Sequence, residues 1–199
     1  DNRTNVTVQN CFILDNSSTN SLGIGINFTR TNLSLIYNNT IDTNGTTDNY
    51  GIQIATRSYT NRVENNTIRT VGSGANNYGV NLITNTAGNN VTGNRINTNG
   101  TTTNYGIVTQ ADASRTTINL NNVTTAGTGA SNFGIYLLTR VNGTNVSENI
   151  INTSGTDSNY GIAFETSIND SIVLNNTVNV GGSTSSNRGI RVATNLFRN

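Results

Sequence analysis

The chain has 199 residues, of which 33% are hydrophobic and 6% aromatic, a supply too small for a conventional thick two-layer core. Its net charge of +1, with only 11% charged residues, offers no basic surface for nucleic acid or an anionic membrane, and no apolar run could span a bilayer. Disorder is also disfavoured, because disordered chains usually combine high net charge with few β-branched residues, whereas Ile and Val recur here at regular intervals.

A few residue types dominate the composition. The chain contains 40 Asn and 34 Thr but no Pro, His, Met, Trp or Lys, so all 11 basic residues are Arg. The single Cys11 cannot form an internal disulfide, and we expect it to be a small buried residue. The chain opens on Asp1 without a signal peptide, which favours a processed product or a fragment.

An Asn-aromatic-Gly-aliphatic motif recurs along the chain, beginning with a degenerate first copy at Ser21-Leu22-Gly23-Ile24. Its glycines are Gly23, Gly51, Gly79, Gly106, Gly134, Gly161 and Gly189. We interpret each glycine as a turn residue that precedes a strand. A nearly constant step of about 27 or 28 residues between them is typical of stacked structural repeats.

A second motif, aliphatic-x-x-Asn-x-aliphatic, lies between successive copies of the first. Its asparagines are Asn39, Asn66, Asn94, Asn121, Asn149 and Asn176, and Cys11 takes the Asn place in the first copy. The segments joining the two motifs alternate in length by one residue, so from the second copy onward equivalent positions recur after about 55 residues. The repeating unit is therefore a pair of coils.

Short apolar alternations such as Gly51-Ile52-Gln53-Ile54 have a period of two and are bounded by Asn, Gly, Ser and Thr. They predict an all-β parallel β-helix, or β-solenoid, of seven coils, each of about 27–28 residues with three short strands. Parallel pairing between coils gives a rise of roughly 4.8 Å per coil. We expect one domain over residues 1–199, with an irregular first coil (1–27) and regular coils (28–199).

Side chains that recur in every coil should point inward. Two apolar columns are predicted, one from Val8 to Val173 and one from Ile24 to Ile190. The motif asparagines from Asn39 to Asn176 should form a ladder of side-chain amides along the axis. A third inward column, of hydroxyls, is predicted at Thr56, Thr84, Thr139, Thr166 and Thr194.

This pattern of Asn ladders and Gly-aliphatic strand starts resembles the right-handed parallel β-helix proteins, the pectin-lyase-like superfold, over essentially the whole chain. The resemblance implies the right-handed coil. It implies little about function, because that fold carries polysaccharide lyases, hydrolases, epimerases, tailspikes, adhesins and surface-layer proteins.

The sequence predicts no catalytic residue, metal site or cofactor. No two acidic residues share a column on adjacent coils, and His and Lys, the usual bases near neutral pH, are absent. Asp112 and Arg140 should be neighbours, with Arg57 two coils away, as an exposed ion pair or, alternatively, a substrate subsite. Ice binding is disfavoured, because the outward columns around Ile41 and its equivalents are chemically mixed.

An aromatic column predicts either a stacked structural ladder or a glycan-contact strip. Its members are Tyr50, Tyr78, Tyr105, Phe133 and Tyr160.

Sixteen Asn-x-Ser/Thr sequons occur, compared with about ten expected by chance in so Asn-rich a chain. The candidate N-glycosylation sites are Asn38, Asn44, Asn65, Asn99, Asn142, Asn152 and Asn175. Asn44 and Asn99 are separated by one coil pair and share a loop position, and we expect Asn152 in the matching loop of the next coil pair.

The leading hypothesis is an extracellular structural protein, a glycosylated subunit of a fibre or surface layer. It carries covalent N-glycans and assembles with itself, head to tail, through ends that have no evident cap. The alternative is a glycan-binding adhesin or tailspike-like module. A polysaccharide-active enzyme and an ice-binding protein are less favoured.

Overall fold

The computed structural model describes residues 2–16, 22–184 and 186–193. These residues form strands and turns and include no helix. No segment in the described ranges is a long apolar helix of the kind that crosses a membrane.

The strands form three seven-stranded parallel sheets and one two-stranded pairing. The first sheet contains β2 (Thr7–Gln9), β6 (Leu35–Tyr37), β9 (Arg62–Glu64), β12 (Asn90–Thr92), β15 (Thr117–Asn119), β18 (Asn145–Ser147) and β21 (Ile172–Leu174). The second contains β3 (Phe12–Asp15), β7 (Thr40–Gly45), β10 (Thr67–Gly72), β13 (Arg95–Gly100), β16 (Asn122–Gly127), β19 (Ile150–Ser154) and β22 (Thr177–Val180). The third contains β4 (Gly23–Thr29), β8 (Asn49–Ala55), β11 (Asn77–Ile83), β14 (Asn104–Gln110), β17 (Asn132–Thr139), β20 (Tyr160–Thr166) and β23 (Arg188–Val192). The short β1 (Arg3–Thr4) and β5 (Thr31–Asn32) pair with each other.

Each coil runs through the first, second and third sheets in turn, and every strand pairs in parallel with its copy in the next coil. The prediction of a seven-coil parallel β-solenoid with three strands per coil is confirmed. The pairing also carries the predicted two-coil period, since Val71 pairs with both Asn44 and Asn99, one coil away on either side. The alternating segment lengths are absorbed in the corners, so the strands stay in register.

The predicted register of the first coil was wrong. Ile26, not Ile24, pairs with Ile52, and Ile24 lies opposite Tyr50. Gly25 therefore takes the place predicted for Gly23, and the first step of the repeat is shorter by two positions than the motif spacing indicated. The motif spacing hid this because the first coil carries two glycines in alternate positions.

The motif glycine has a packing role inside the strand. A Cβ on Gly51 would lie 2.2 Å from Cγ2 of Ile68 and 2.7 Å from the carbonyl oxygen of Gly79. Gly79 and Gly106 meet Ile96 and Val123 in the same way. Because the second sheet presses its aliphatic side chains against the third, only glycine fits here, and the predicted role as a turn residue was wrong.

The two predicted apolar columns form the core together with an aliphatic column of the second sheet that includes Ile41, Ile68 and Ile96. Inner positions in the central coils, such as Ile52, Val91 and Ile118, have no exposed surface. A solenoid this narrow needs only about one layer of aliphatic side chains from each sheet, which is why a chain with 33% hydrophobic residues folds.

The predicted inward threonine column was misplaced. Thr56 is half-buried and Thr84 and Thr166 are exposed, because these residues lie where the chain leaves the third sheet and the in-out alternation of the strand ends. Thr194 lies outside the described residues. A column of buried threonines lies instead in the second sheet: Thr43, Thr70, Thr98, Thr125 and Thr153.

Cys11 is exposed, which contradicts the expectation of a buried residue. It does occupy the asparagine column, and its backbone N–H donates to Oδ1 of Asn39 at 3.0 Å. In the described chain Cys11 has a coil on one side only, so its thiol remains accessible to solvent.

Candidate functional site

The first polar ladder lies at the corner between the first and second sheets. The Nδ2 of Asn66 donates to Oδ1 of Asn94 at 3.0 Å, and Asn94 donates in the same way to Asn121 at 3.0 Å. Each Oδ1 also accepts the backbone N–H of the preceding ladder residue, as in the 2.9 Å bond from Asn66 to Asn94. The same bonds join all six positions: Asn39, Asn66, Asn94, Asn121, Asn149 and Asn176.

A second amide ladder lies at the corner between the second and third sheets. The Nδ2 of Asn49 donates to Oδ1 of Asn77 at 2.8 Å, and Asn77 donates to Asn104 at 2.9 Å. The ladder continues through Asn132 and Asn159. These residues were recognised from sequence as the first letter of the Asn-aromatic-Gly motif but not as a ladder, although the same periodicity was visible for both columns.

The aromatic column stacks on the outer surface of the third sheet. Ring centroids of Tyr50 and Tyr78 are 4.9 Å apart with planes at 6°, and those of Tyr78 and Tyr105 are 4.8 Å apart at 11°. Phe133 and Tyr160 continue the stack. Burial in this stack raises the pKa of Tyr78 and of Tyr105 above the ordinary tyrosine value.

Neighbours already occupy the ring faces of this column. Tyr136 meets Tyr105 and Phe133 edge to face at 5.1 and 4.9 Å, and its ring packs with the buried Val108. At the far end, the guanidinium groups of Arg191 and Arg188 lie 5.3 and 5.9 Å from the Tyr160 ring centroid. The column therefore presents ring edges to solvent, whereas stacking on a sugar ring uses a ring face.

Several carboxylates are paired with arginine rather than with each other. Asp42 accepts from Arg69 at 2.8 Å and Glu64 from Arg62 at 2.6 Å, and Glu165 bonds to Arg191. The described part of the chain contains no group of three or more His, Cys, Asp or Glu side chains arranged to hold a metal ion.

The predicted contact between Asp112 and Arg140 is confirmed as a bidentate pair, with bonds of 2.8 and 3.0 Å. The hydrogen bond from Arg140 lowers the pKa of Asp112 below its usual value. A carboxylate held in its charged form by an exposed arginine is a poor general acid, so this geometry fits an ion pair better than a catalytic group.

A groove lies beside this ion pair, at the corner between the third and first sheets, with a volume of about 550 Å³. Its lining residues are Tyr59, Asn85, Ala87, Asp112, Ser114, Arg115, Asn142, Gly143 and Asp170. The groove was not predicted from the sequence, because its depth comes from small residues at column positions that carry no motif.

The candidate glycosylation sites differ in their surroundings. Asn38, Asn65 and Asn175 have φ of 51°, 56° and 54° in the tight turn before the first ladder, a backbone conformation that asparagine tolerates well. In each of these three sequons the next residue is a ladder asparagine and the third is an exposed strand threonine. Structural demands therefore account for these three sequons without glycosylation.

The remaining candidates lie on or near the second and third corners. Asn44 and Asn99 are exposed at the ends of β7 and β13, where they share a column. Asn152 was misplaced: it lies within β19, opposite Thr124, and Ser154 takes the position equivalent to Asn99. Asn142 is exposed, but the hydroxyl-bearing Thr144 of its sequon is buried.

A comparison with protein-family models agrees with this architecture. A family model described as "Right handed beta helix region" matches residues 1–123. Among solved structures, the chain is similar to the surface protein and adhesin PfbA of Streptococcus pneumoniae, with 12% identity, a TM-score of 0.32, and coverage of 96% of this chain and 67% of that one. No curated protein sequence matches the chain. Because the family model covers more than half of its length, the chain belongs to the right-handed β-helix family.

Proposed function

We propose that this chain is a non-catalytic structural solenoid of a cell-surface protein, in which the rod itself is the functional element. The observation that carries the proposal is that two amide ladders run through successive coils, while carboxylates lie on the outside and four of them are paired with arginines. Repetition of this kind supports stacking and stiffness rather than a single reacting centre.

The surface location can be tested on cells of the native source. Antibodies raised against the purified chain should label intact cells, as seen by immunogold electron microscopy. Labelling that requires permeabilised cells would overturn the surface location. Incubation with neutral and acidic polysaccharides should release no reducing ends or unsaturated products, and release by the purified chain would overturn the non-catalytic role.

We also propose that the protein is N-glycosylated, and the structure of the sequons favours Asn44 and Asn99 as the sites. Both are exposed, neither has a side-chain hydrogen bond within the described ranges, and they lie two coils apart, about 10 Å, on one face. Peptide mass spectrometry of protein from the native source should find a glycan on both. Unmodified peptides at both sites would contradict this part of the proposal.

The proposed partner is a second copy, stacked head to tail. The core residues Ile190 and Val192 of the last described coil are 51% and 55% exposed, whereas Ile162, which pairs with Ile190 from the preceding coil, is fully buried. A further coil would bury them and pair with β21, β22 and β23, which have a paired strand on one side only among the described residues. Electron microscopy should then show filaments whose axial repeat is about seven coils, roughly 34 Å.

Two variants sharpen this test. Deleting residues 73–127 removes one coil pair and joins positions that are equivalent in the register, so the repeat should shorten by about 10 Å. Ile190→Asp should abolish filaments, whereas Ile150→Asp, on the lateral surface at a similar exposure of 50%, should not. Particles that stay monomeric, or filaments that resist Ile190→Asp, would overturn head-to-tail stacking.

A further inference from the structure

Tyr59 lies outside the aromatic column, at the third corner. Tyr59 is 39% exposed and makes no ring-to-ring contact in the parts of the chain that the structure describes. Its backbone N–H is fixed by Oδ1 of Asn32 at 2.8 Å, so the start of the side chain is positioned while the ring remains open to solvent. This ring stands at one end of the groove at the third corner.

The groove exists because the residues that follow Tyr59 in its column have small side chains. Tyr59 pairs with Ala87, and Ala87 pairs with Ser114 in the coil after it. Asn142 follows, with its N–H bonded to Oγ of Ser114 at 3.2 Å. The column thus falls from a tyrosine to an alanine and a serine, and the resulting trough runs along the solenoid axis for roughly 15 to 20 Å.

The next column contributes one glycine and one large side chain to the trough. Gly143 has a φ of 62°, and Cγ of Arg115, one coil earlier, lies 3.4 Å from where a Cβ on Gly143 would be. The groove has a volume of about 550 Å³ and is largely open to solvent.

The charges along the groove are nearly balanced. Asp112 is neutralised by Arg140, and the exposed Arg115 and Asp170 carry opposite charges. The other polar groups are the amides of Asn85 and Asn142 and the hydroxyl of Ser114, which both donate and accept hydrogen bonds. Such a lining does not favour a charged ligand of either sign.

We propose that this groove binds an uncharged oligosaccharide that lies along the solenoid axis, with one sugar ring stacked on Tyr59. An exposed aromatic ring matches the apolar face of a sugar, and amides, a hydroxyl and a carboxylate match its hydroxyls. This site is separate from the aromatic column and goes beyond the structural role proposed above.

The groove also bears on the sequon at Asn142. Asn142 lines the trough, so a glycan attached there would occupy the space that the ligand needs. The experiment therefore uses the chain produced without glycosylation.

The test is a binding screen with immobilised tri- to hexasaccharides of glucose, mannose and galactose, with uronic-acid oligomers as the charged arm, followed by calorimetry. We expect binding to at least one neutral oligosaccharide. Tyr59→Ala should weaken it at least tenfold. Ala87→Tyr places a second tyrosine in the column, one coil after Tyr59. It should also weaken binding at least tenfold, because its side chain would fill the trough.

Tyr37→Ala is the matched control, because Tyr37 is similarly exposed on the first sheet, away from the groove; it should bind as the parent does. Tyr59 is at the surface, so its alanine variant tests the site even if Ala87→Tyr destabilises the fold. Absence of neutral-sugar binding at millimolar concentration, binding of the uronic-acid oligomers alone, or binding unchanged in both groove variants would overturn the inference. The outcome of this binding experiment does not affect the filament and surface-labelling tests, so the binding inference and the proposed structural role can be disproved independently.

Discussion

Two polar columns inside the same solenoid are built in opposite ways. In the asparagine ladder of the first corner, Asn94 donates to Val63 O at 2.8 Å, Thr92 O at 3.1 Å and Asn121 Oδ1 at 3.0 Å. In the threonine column of the second sheet, the equally buried Oγ1 of Thr98 has no hydrogen-bond partner among the described protein groups, and neither has that of Thr70 or Thr125.

The difference is one of reach. An amide presents a donor and an acceptor far enough apart to bridge the rise of roughly 4.8 Å between coils, whereas the hydroxyls of this threonine column, which lie within strands whose backbone groups are already paired, do not reach a partner. The Cγ2 methyl of Thr70 instead packs 3.5 Å from where a Cβ on Gly51 would be. A buried polar column therefore stabilises a solenoid only when its side chain spans the coil spacing, and the threonines act as space-filling residues.

The largest effect is expected from breaking the amide ladder. Asn94→Ala leaves the buried N–H of Asn66 without its partner and removes the amide bonds to the carbonyls of Val63 and Thr92, so we expect the free energy of unfolding to fall by about 3 kcal/mol. Urea denaturation followed by circular dichroism measures it. Asn97→Ala, an exposed asparagine in the same coil, is the control and should change stability by less than about 0.5 kcal/mol. Equal effects in the two variants would mean that the ladder bonds contribute nothing.

Thr98→Val tests the other column. Replacing a buried hydroxyl that has no protein partner by a methyl group of similar shape removes a desolvation cost, so stability should rise by about 1 kcal/mol. The chain already contains this exchange, since Val180 pairs with Thr153 in the same column. Thermal unfolding gives the comparison with the parent. A loss of stability would show that the hydroxyl has a partner and that the two columns are alike.

Cys11→Asn extends the ladder by one position. The backbone N–H of Cys11 already donates to Oδ1 of Asn39, and an amide side chain here could add the Nδ2 bond that each later coil makes. We expect a gain of about 0.5 to 1 kcal/mol in the free energy of unfolding. Cys11→Ser removes the thiol without supplying the amide and should show no such gain; an equal gain in both variants would trace it to the loss of the thiol.

The smallest expected effect concerns the residue before the ladder. Leu120 has a φ of 57° at a position where the two preceding coils have Asn65 and Gly93, and its side chain is exposed. Leu120→Asn should stabilise the fold by about 0.5 kcal/mol, because asparagine tolerates this conformation at lower cost. The free energy of unfolding of Leu120→Asn and of Leu120→Ala should be compared by chemical denaturation. Both variants lose the exposed apolar side chain, but only the asparagine variant gains a residue that tolerates positive φ. Identical results for the two variants would contradict the conformational explanation.

For the inner columns, the sequence was sufficient to predict the structure where the same residue type recurs in every coil. Such a residue recurs because it meets the same physical requirement in each coil. The spacing of Asn66, Asn94 and Asn121 predicted both the ladder column and its register, because any other register would break bonds in every coil. The motif spacing failed to predict the register of the first coil. Gly23 and Gly25 both satisfy the motif there, and only the contact of Gly25 with Ile41 distinguishes them.

For residues on the outer surface of the solenoid, the sequence predicted less of the structure. The contact of Asp112 with Arg140 followed from counting positions, because two residues in one column must be neighbours. The groove could not be predicted in that way, since it depends on how far Tyr59 rises above Ala87 at a corner where strand alternation has ended.

The amino-acid sequence by itself determined the coil length, the number of coils, the parallel pairing and the identity of the repeating inner columns, because a periodic chain repeats its hydrogen bonds and its apolar contacts with the same period. Only the tertiary structure decided which buried polar atoms find partners, which aromatic rings remain outside the stack, and why glycine is needed at Gly51. Those outcomes depend on distances between side chains of different sheets, which are far apart in the sequence of each coil. Such distances produce no periodic pattern in the sequence.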